Sequence, residues 1–331
     1  MVSSELRQDL VTGDWVVVAP GRGRRPHFAK AKRRKRLVQP KEKCPFEDPQ
    51  ATGHGEPLLV LPNRDTWFAQ VVPNKFPAFG HGECSVQHKD GPYVWLEGAG
   101  FHEVFIYRNH ERPLADFSDE EMAWVMGAFR ERYEALRDET CVEYVSMFHN
   151  WGAEAGASIS HPHSQLIAMP VIPPDVARSL KGSKAYFDEK GACVHCAMIA
   201  FEQGHGERVI EKTEHFIALA PYASRIAFEA RVFPLEHIAS FRNTPVEHLK
   251  EAGALLRNVL KKIAAGLNDP PLNFFLHTAP THGEQFKYYH WHFEIFPKTS
   301  IWAGFEMSTG IETAEVAPET AAAYLREQAT T

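Results

Sequence analysis

The segment from Ser158 to Pro170, SISHPHSQLIAMP, places two histidines either side of a proline at the start of an apolar run. Residues i and i+2 of an extended backbone share a face, so His161 and His163 point the same way. Pro162 fixes a torsion between them and removes a backbone donor, which holds the pair stiffly. Such a pair suits a metal, a phosphate or a nucleophile's task; the plain alternative is the edge of an ordinary strand.

The same residue types recur in order along the chain. Cys44-Pro45-Phe46-Glu47 and His110 precede His161-Pro162-His163; Cys193-Val194-His195-Cys196 and His237 precede His290-Trp291-His292. The lone histidine stands 51 residues before its pair in the first set (110 to 161) and 53 in the second (237 to 290). Cys-x-x-Cys with two distant histidines is a tetrahedral zinc pattern, so Cys193, Cys196, His237 and His290 are predicted to hold a structural zinc. In the first set Glu47 stands where a second cysteine would be. A carboxylate also ligates zinc, so Cys44, Glu47, His110 and His161 form either a second site or a degenerate, metal-free one. His81, Cys84 and His88 offer another arrangement in a Gly-rich loop. With His161 spent on metal, His163 is left as a neutral imidazole, a nucleophile for phosphorus. His292 is its counterpart, but Trp291, Phe293 and Glu294 flank it and no Ser-Gln tail follows, which predicts a structural role.

Strands must carry these residues. They are predicted at 101–107, 142–149 and 164–171, with a helix over 118–137 opened by Ser118 as N-cap and Glu121 three residues on. Further strands are predicted at 215–221, 226–234, 272–278 and 290–297, with a helix from about Pro245 to Ala265. The succession strand, strand, helix, strand, strand occurs twice, which predicts an α+β duplication. The Pro-, Gly- and Lys-containing stretch 173–190 reads as the linker, dividing the chain into 1–174 and 175–331.

At 331 residues, 44% hydrophobic and 24% charged, the chain can bury a sizeable core. A formal charge of −6 argues against wholesale nucleic-acid coating, and the basic run KAKRRKR (30–36) reads as a flexible, solvated surface segment. No run has membrane-spanning length, and the amino terminus has no apolar signal core. Five cysteines with one Cys-x-x-Cys fit metal-binding thiols in a reducing cytoplasm better than a disulfide framework.

Taken in order, the motifs TGDWVVVAP with GRGRRP (12–26), CPFE (44–47), PNKFPAF (73–79), NWGAEAGASISHPHSQ (150–165), CVHC (193–196), YYHWHFEIFP (288–297) and AGFEMSTG (303–310) resemble the galactose-1-phosphate uridylyltransferase family, the transferase branch of the histidine-triad superfamily. The resemblance covers nearly the whole chain. It implies two tandem histidine-triad-like halves, antiparallel sheets with helices packed on them, and a homodimer. It implies that His163 attacks the α-phosphorus of UDP-glucose, expels glucose 1-phosphate and carries a uridylyl group that galactose 1-phosphate then captures. The carbonyl of His161 would hold the other ring nitrogen of His163. Gln165 stands where hydrolase relatives carry a third histidine; a carboxamide hydrogen-bonds phosphate without titrating, which favours transfer over hydrolysis. Arg22 and Arg25 match phosphate-binding arginines. Asn150, Gly156 and Ser158 match a loop along the phosphates, Asn74 a nucleoside-binding position, and Phe305 and Glu306 a hexose-binding segment. Lys75 departs from members that carry Asp beside that Asn, which keeps a rival open: an ADP-sugar or diadenosine-polyphosphate phosphorylase using the same histidine chemistry. From another class, a zinc-bearing, catalytically inert nucleic-acid binder would use the 30–36 run.

Overall fold

Runs rich in β-branched and aromatic residues build the sheets, and the two long apolar-periodic segments build the helices that cover them. The structure, a computed structural model, describes residues 3–24, 38–80, 86–283 and 286–329. Arg25, the basic run 30–36, His81 and Cys84 lie outside the described residues. The chain passes through β1 (Glu5–Gln8), β2 (Trp15–Val18), β3 (Leu59–Leu61), β4 (Ala69–Pro73), a hairpin of β5 (Gln87–Asp90) and β6 (Tyr93–Leu96), and β7 (Phe101–Tyr107). Helix α1 (Asp119–Arg137) leads to β8 (Tyr144–Trp151) and β9 (His163–Met169). Helices α2 (Pro174–Lys190) and α3 (Val194–His205) follow, then β10 (Val209–Lys212), β11 (Phe216–Leu219) and β12 (Ala230–Pro234). The chain ends with α4 (Val246–Leu267), β13 (Leu272–His277), β14 (His292–Pro297), α5 (Gly304–Thr309), β15 (Thr313–Ala314) and α6 (Pro318–Arg326).

Ten strands form one sheet in the order β10-β11-β12-β14-β13-β8-β9-β7-β4-β3, every pairing antiparallel. Read outward from the β8–β13 junction, the groups β8-β9-β7-β4-β3 and β13-β14-β12-β11-β10 repeat one connectivity, with α1 and α4 at matching places in the chain. The α+β class and the duplicated succession are as expected. The stretch 173–190 is not: it is helix α2, with Pro at its first turn and Val176, Ser179, Leu180 and Ser183 buried at helical spacing. Prolines at a helix start leave no needed donor unmade, so Pro173-Pro174 opens a helix rather than a linker. The strand expected over 226–234 begins only at Ala230.

The Ser118 cap forms as a reciprocal box, Glu121 N–H donating to Ser118 Oγ at 3.1 Å and Ser118 N–H to the Glu121 carboxylate at 2.7 Å. Helices α1 and α4 lie against each other on the sheet, and one apolar cluster runs from Phe105 and Phe129 through Leu256 to Phe293 and Ile295. A parallel pairing of β15 with β2 brings the carboxy-terminal segment back to the amino terminus. Among the described residues no helix is long and apolar enough to cross a membrane.

The α1–α4 contact depends on Gly253, where a Cβ would sit 2.9 Å from the carbonyl oxygen of Met122. Gly253→Val therefore forces the helices apart. Its expected cost is about 1–3 kcal/mol of stability, the range for overpacking, read as a lower urea midpoint with unchanged slope.

Candidate active site

The register of three strands assembles the site. Strand β9 pairs with β7 so that Val104 faces Gln165 and Ile106 faces His163, and with β8 so that His149 faces Ser164. Carried one residue further, the β8 register sets Asn150 opposite His163. Alternation then sends His163 and Gln165 to one face and Ser164 to the other. Behind the sheet Ser164 Oγ meets Tyr107 Oη at 2.8 Å and His149 Nδ1 at 3.1 Å. Full burial lowers the pKa of His149 to about 3, so it is neutral at ordinary pH.

On the front face, the carbonyl oxygen of His161 lies 2.8 Å from His163 Nδ1. A carbonyl only accepts, so Nδ1 carries the proton and Nε2 keeps its lone pair. Desolvation lowers the His163 pKa below the ordinary imidazole value, the hydrogen bond to His161 opposing it, and the ring stays neutral. Phe46 packs edge-on at 5.1 Å between ring centres. The hydrogen bond expected between the His161 carbonyl and His163 is present and leaves the other ring nitrogen, Nε2, unprotonated.

His161 is turned the opposite way. Its Nε2 donates to Tyr107 O at 2.5 Å, which leaves Nδ1 unprotonated, 3.5 Å from Cys44 Sγ and 3.4 Å from the Glu47 carboxylate. Burial lowers its pKa to about 4 against that hydrogen bond. His110 is held likewise, Nε2 donating to Gln39 O at 2.7 Å while Nδ1 faces Glu47 Oε1 at 2.6 Å. Two imidazole nitrogens, a sulfur and a carboxylate thus converge, with ligand atoms within 4.8 Å of one another. Burial raises the Cys44 thiol, so without a cation its S–H can donate to His161 Nδ1; a divalent cation would displace that proton and take all four atoms, so Cys44, Glu47, His110 and His161 fit a divalent metal.

The second set converges in the same way. Cys193, Cys196, His237 and His290 bring their ligand atoms within 4.8 Å, Cys196 Sγ lying 3.3 Å from His237 Nδ1 and 3.6 Å from His290 Nδ1. His290 Nε2 donates to Pro234 O at 3.0 Å, as His161 does to Tyr107 O. Hydrogen bonding from Cys196, opposed by burial and aided by His237 and His290, pulls the Cys193 thiol down to about 2, while Cys196 is pushed up by the same partner. Only one sulfur can hold negative charge without a cation; a dication lets both do so. His88 instead stacks on Trp95 at 3.9 Å in the β5–β6 hairpin, outside both clusters. Cys141 is disulfide-bonded and belongs to neither cluster, whereas Cys44, Cys193 and Cys196 are free thiols.

His292 repeats the backbone bond, with Nδ1 donating to His290 O at 3.0 Å. Its Nε2, however, faces Glu294 Oε1 at 3.4 Å. Against the desolvation of burial, Arg231 (3.1 Å) and Arg225 (2.5 Å) hold the Glu294 carboxyl well below the usual range. The cavity there is about 30 Å³, room for a water and not for a nucleotide. His277 approaches the same point, but the two arginines already neutralise Glu294.

The remaining expected residues divide. Asn150 Oδ1 accepts from Asn273 Nδ2 at 2.7 Å, so its amide nitrogen is the free donor end beside His163. Gly156, in the left-handed region at φ 88°, leaves the space next to Asn150 Nδ2 open. Asn74 and Gln165 are both beside His102, a residue with no motif around it. Ser158 is exposed on the loop before the pair. Arg22 stands 3.8 Å from Glu315. Phe305 and Glu306 lie on exposed α5, where the Glu306 carboxylate accepts from Ala303 N at 3.0 Å and the charge of Arg22 acts on it. Among the described residues, the ion pair of Arg22 and the hydrogen bonds of Phe305 and Glu306 lie away from β9.

Residues 1–173 match the family model for the galactose-1-phosphate uridyl transferase amino-terminal domain. The chain belongs to that family. Residues 99–329 also match a domain family of unknown function. An ADP-glucose phosphorylase of Arabidopsis thaliana is 35% identical, over 98% of this chain and 93% of the relative. A galactose-1-phosphate uridylyltransferase of Thermotoga maritima is 28% identical, over 98% of each chain. The crystal structure of the Arabidopsis thaliana ADP-glucose phosphorylase with bound ADP-glucose superposes with a TM-score of 0.84 at 32% identity, covering 100% of each chain. The chain is thus an enzyme of the nucleotidyltransferase type, with groups suited to binding metal.

Because His149 stays neutral when folded, only the unfolded chain takes up its proton as pH falls below the ordinary imidazole value. Its stabilising contribution is therefore present above that value and is lost on acidification. His149→Gln should remove roughly 2 kcal/mol of the stability loss between about pH 7 and pH 5, measured as urea midpoints at the two pH values.

Proposed function

We propose that the chain transfers a nucleotidyl group from a nucleotide sugar through His163, and that the nucleotide sugar is an ADP-sugar. The observation that carries the reading is the neutral His163 ring with Nδ1 bonded to His161 O and Nε2 bare, on one face with Gln165 and Asn150. In the first half-reaction Nε2 attacks the α-phosphorus, the phosphoanhydride bond breaks and the sugar 1-phosphate leaves. In the second an oxygen of inorganic phosphate attacks the same phosphorus, the P–N bond breaks and ADP forms. Each step is a displacement at phosphorus with a neutral nitrogen as nucleophile or leaving group. Gln165 and Asn150 offer amide N–H groups to the phosphate oxygens; the same proposal assigns phosphate binding to Arg22, Arg25, Gly156 and Ser158, the nucleoside to Asn74, and the sugar to Phe305 and Glu306. In this reading His163 and Gln165 act on the reacting group.

Two observations favour adenine over uracil and phosphate over galactose 1-phosphate as acceptor: the 35% identity to an ADP-glucose phosphorylase, and Lys75. Lys75 Nζ donates to Thr52 O at 3.0 Å, so this position offers no acceptor to the imide N–H of uracil. The UDP-glucose and galactose 1-phosphate reaction is the second reading, supported by the family membership and the Thermotoga relative. The same proposal gives each metal set a structural zinc, treats 1–174 and 175–331 as tandem domains, and pairs two chains through the exposed Ile301, Trp302 and Met307.

Incubation with α-³²P-labelled ADP-glucose or UDP-glucose tests the donor. Stable protein labelling from ADP-glucose, discharged as ADP by phosphate, is expected; labelling from UDP-glucose alone, discharged by galactose 1-phosphate, selects the second reading. His163→Ala should fold and take no label, and a labelled His163→Ala protein refutes the nucleophile. Elemental analysis should find about two zinc ions per chain, one for each ligand set. Dialysis against chelator should lower the unfolding temperature before it slows labelling, since the metals are held away from the His163 Nε2 lone pair.

A further inference from the structure

His102 sits on β7 one diagonal step from Gln165 across the β7–β9 ladder, on the same face. Its Nδ1 lies 3.1 Å from the backbone nitrogen of Ala78. That N–H can only donate, so Nδ1 is the acceptor and the single proton of the neutral ring must be on Nε2. Nε2 lies 2.9 Å from the side-chain oxygen of Gln165. The amide nitrogen of Asn74 is beside the same nitrogen at 3.1 Å, its own oxygen taking the Phe76 N–H at 2.9 Å; with the Ala78 N–H holding the proton on Nε2, that Asn74 N–H makes no hydrogen bond to the ring, and Gln165 Oε1 is the acceptor for Nε2–H. A donor on Nε2 admits one orientation of Gln165: Oε1 toward His102, and the NH₂ end away from it.

We propose that His102 is a positioning residue for the nucleotidyl transfer, aiming the amide N–H groups of Gln165 at the phosphate that His163 attacks. The inference rests on the reading of His163 as the nucleophile. A carboxamide can turn over at little cost in its own covalent energy, and half its orientations present oxygen to an anionic phosphate. Fixing the donor end in advance means no reorganisation is needed as charge shifts on the phosphoryl oxygens. It also gives the relay a direction. The backbone N–H of Ala78 sets the His102 tautomer, the tautomer sets Gln165, and Gln165 meets the substrate. Burial lowers the pKa of His102, the bond to Gln165 opposing, which keeps the ring in the neutral state the relay needs.

A double-mutant cycle tests the relay, read by single-turnover labelling from nucleotide sugar and by kcat and KM. His102→Leu should slow both half-reactions about 10- to 100-fold, somewhat less than loss of a direct donor, with KM for the nucleotide sugar nearly unchanged. His102→Gln, which retains a donor at the Nε2 position, should restore most of the rate. Gln165→Leu should be slower than His102→Leu, and adding His102→Leu to it should cost nothing further, because His102 acts only through Gln165. In ¹⁵N spectra of the unmutated protein His102 should show the neutral tautomer protonated on Nε2. Additive losses in the cycle, or the Nδ1-protonated tautomer, overturn the relay while His163 labelling stands. Absence of labelling in the unmutated protein overturns the nucleophile and the relay together.

Discussion

The site depends on backbone carbonyls that decide where imidazole protons sit. His161 gives its Nε2 proton to Tyr107 O, and its own carbonyl takes the Nδ1 proton of His163. Two rings two residues apart are thereby given opposite tautomers, one with a lone pair at Nδ1 turned to Cys44 and Glu47, the other with a lone pair at Nε2. Neither assignment would survive a slip of β9 by one residue, which would exchange its two faces. The packed β7–β9–β8 ladder, buried on the helix side by α1 and α4, makes that slip costly. The chemistry proposed for His163 is in this sense a property of strand register, and the cluster of Cys44, Glu47 and His110 around His161 holds the ring that precedes the carbonyl.

The second strand group applies the same rule and reaches a different end. His290 bonds Pro234 O and His292 bonds His290 O, so the tautomers match those of His161 and His163. What differs is the residue two further on. Glu294 faces the His292 Nε2 with charge and is itself clamped by Arg225 and Arg231, whereas Gln165, two residues after His163, is a neutral amide bonded to His102. A carboxylate at that point repels a phosphate and engages the nitrogen; an amide does neither.

Much of this was legible in the sequence because it is local. The i, i+2 histidine spacing, the Cys-x-x-Cys, the Ser118 cap and the matched intervals to His110 and His237 each need only a short window or a repeat. Helix α2 was missed although its signal was present: Pro174 at the first turn, and Val176, Leu180 and Ser183 at helical spacing, masked by small and charged residues between. His102 carried no signal at all. It neighbours Gln165 only through the β7–β9 register, 63 residues apart in sequence, and no local pattern encodes a cross-strand diagonal. Glu47 was ambiguous for a related reason. Whether a carboxylate replaces a cysteine as ligand depends on what faces it, and that is His110 Nδ1 at 2.6 Å.

The asymmetry of the two halves also bears on what the second strand group does for the site proposed around His163. Strand β8 meets β13 at the centre of the ten-stranded sheet, and Asn273 on β13 holds the oxygen of Asn150 on β8. The second half thus orients a donor beside His163 without offering a nucleophile of its own. Removing it would expose the β8 edge, where unpaired backbone groups invite other strands, and would free the Asn150 amide to rotate. The second half is then structurally part of the first: His290 bonds Pro234 O just before β14, β14 pairs with β13, and β13 pairs with the strand that carries Asn150 beside His163.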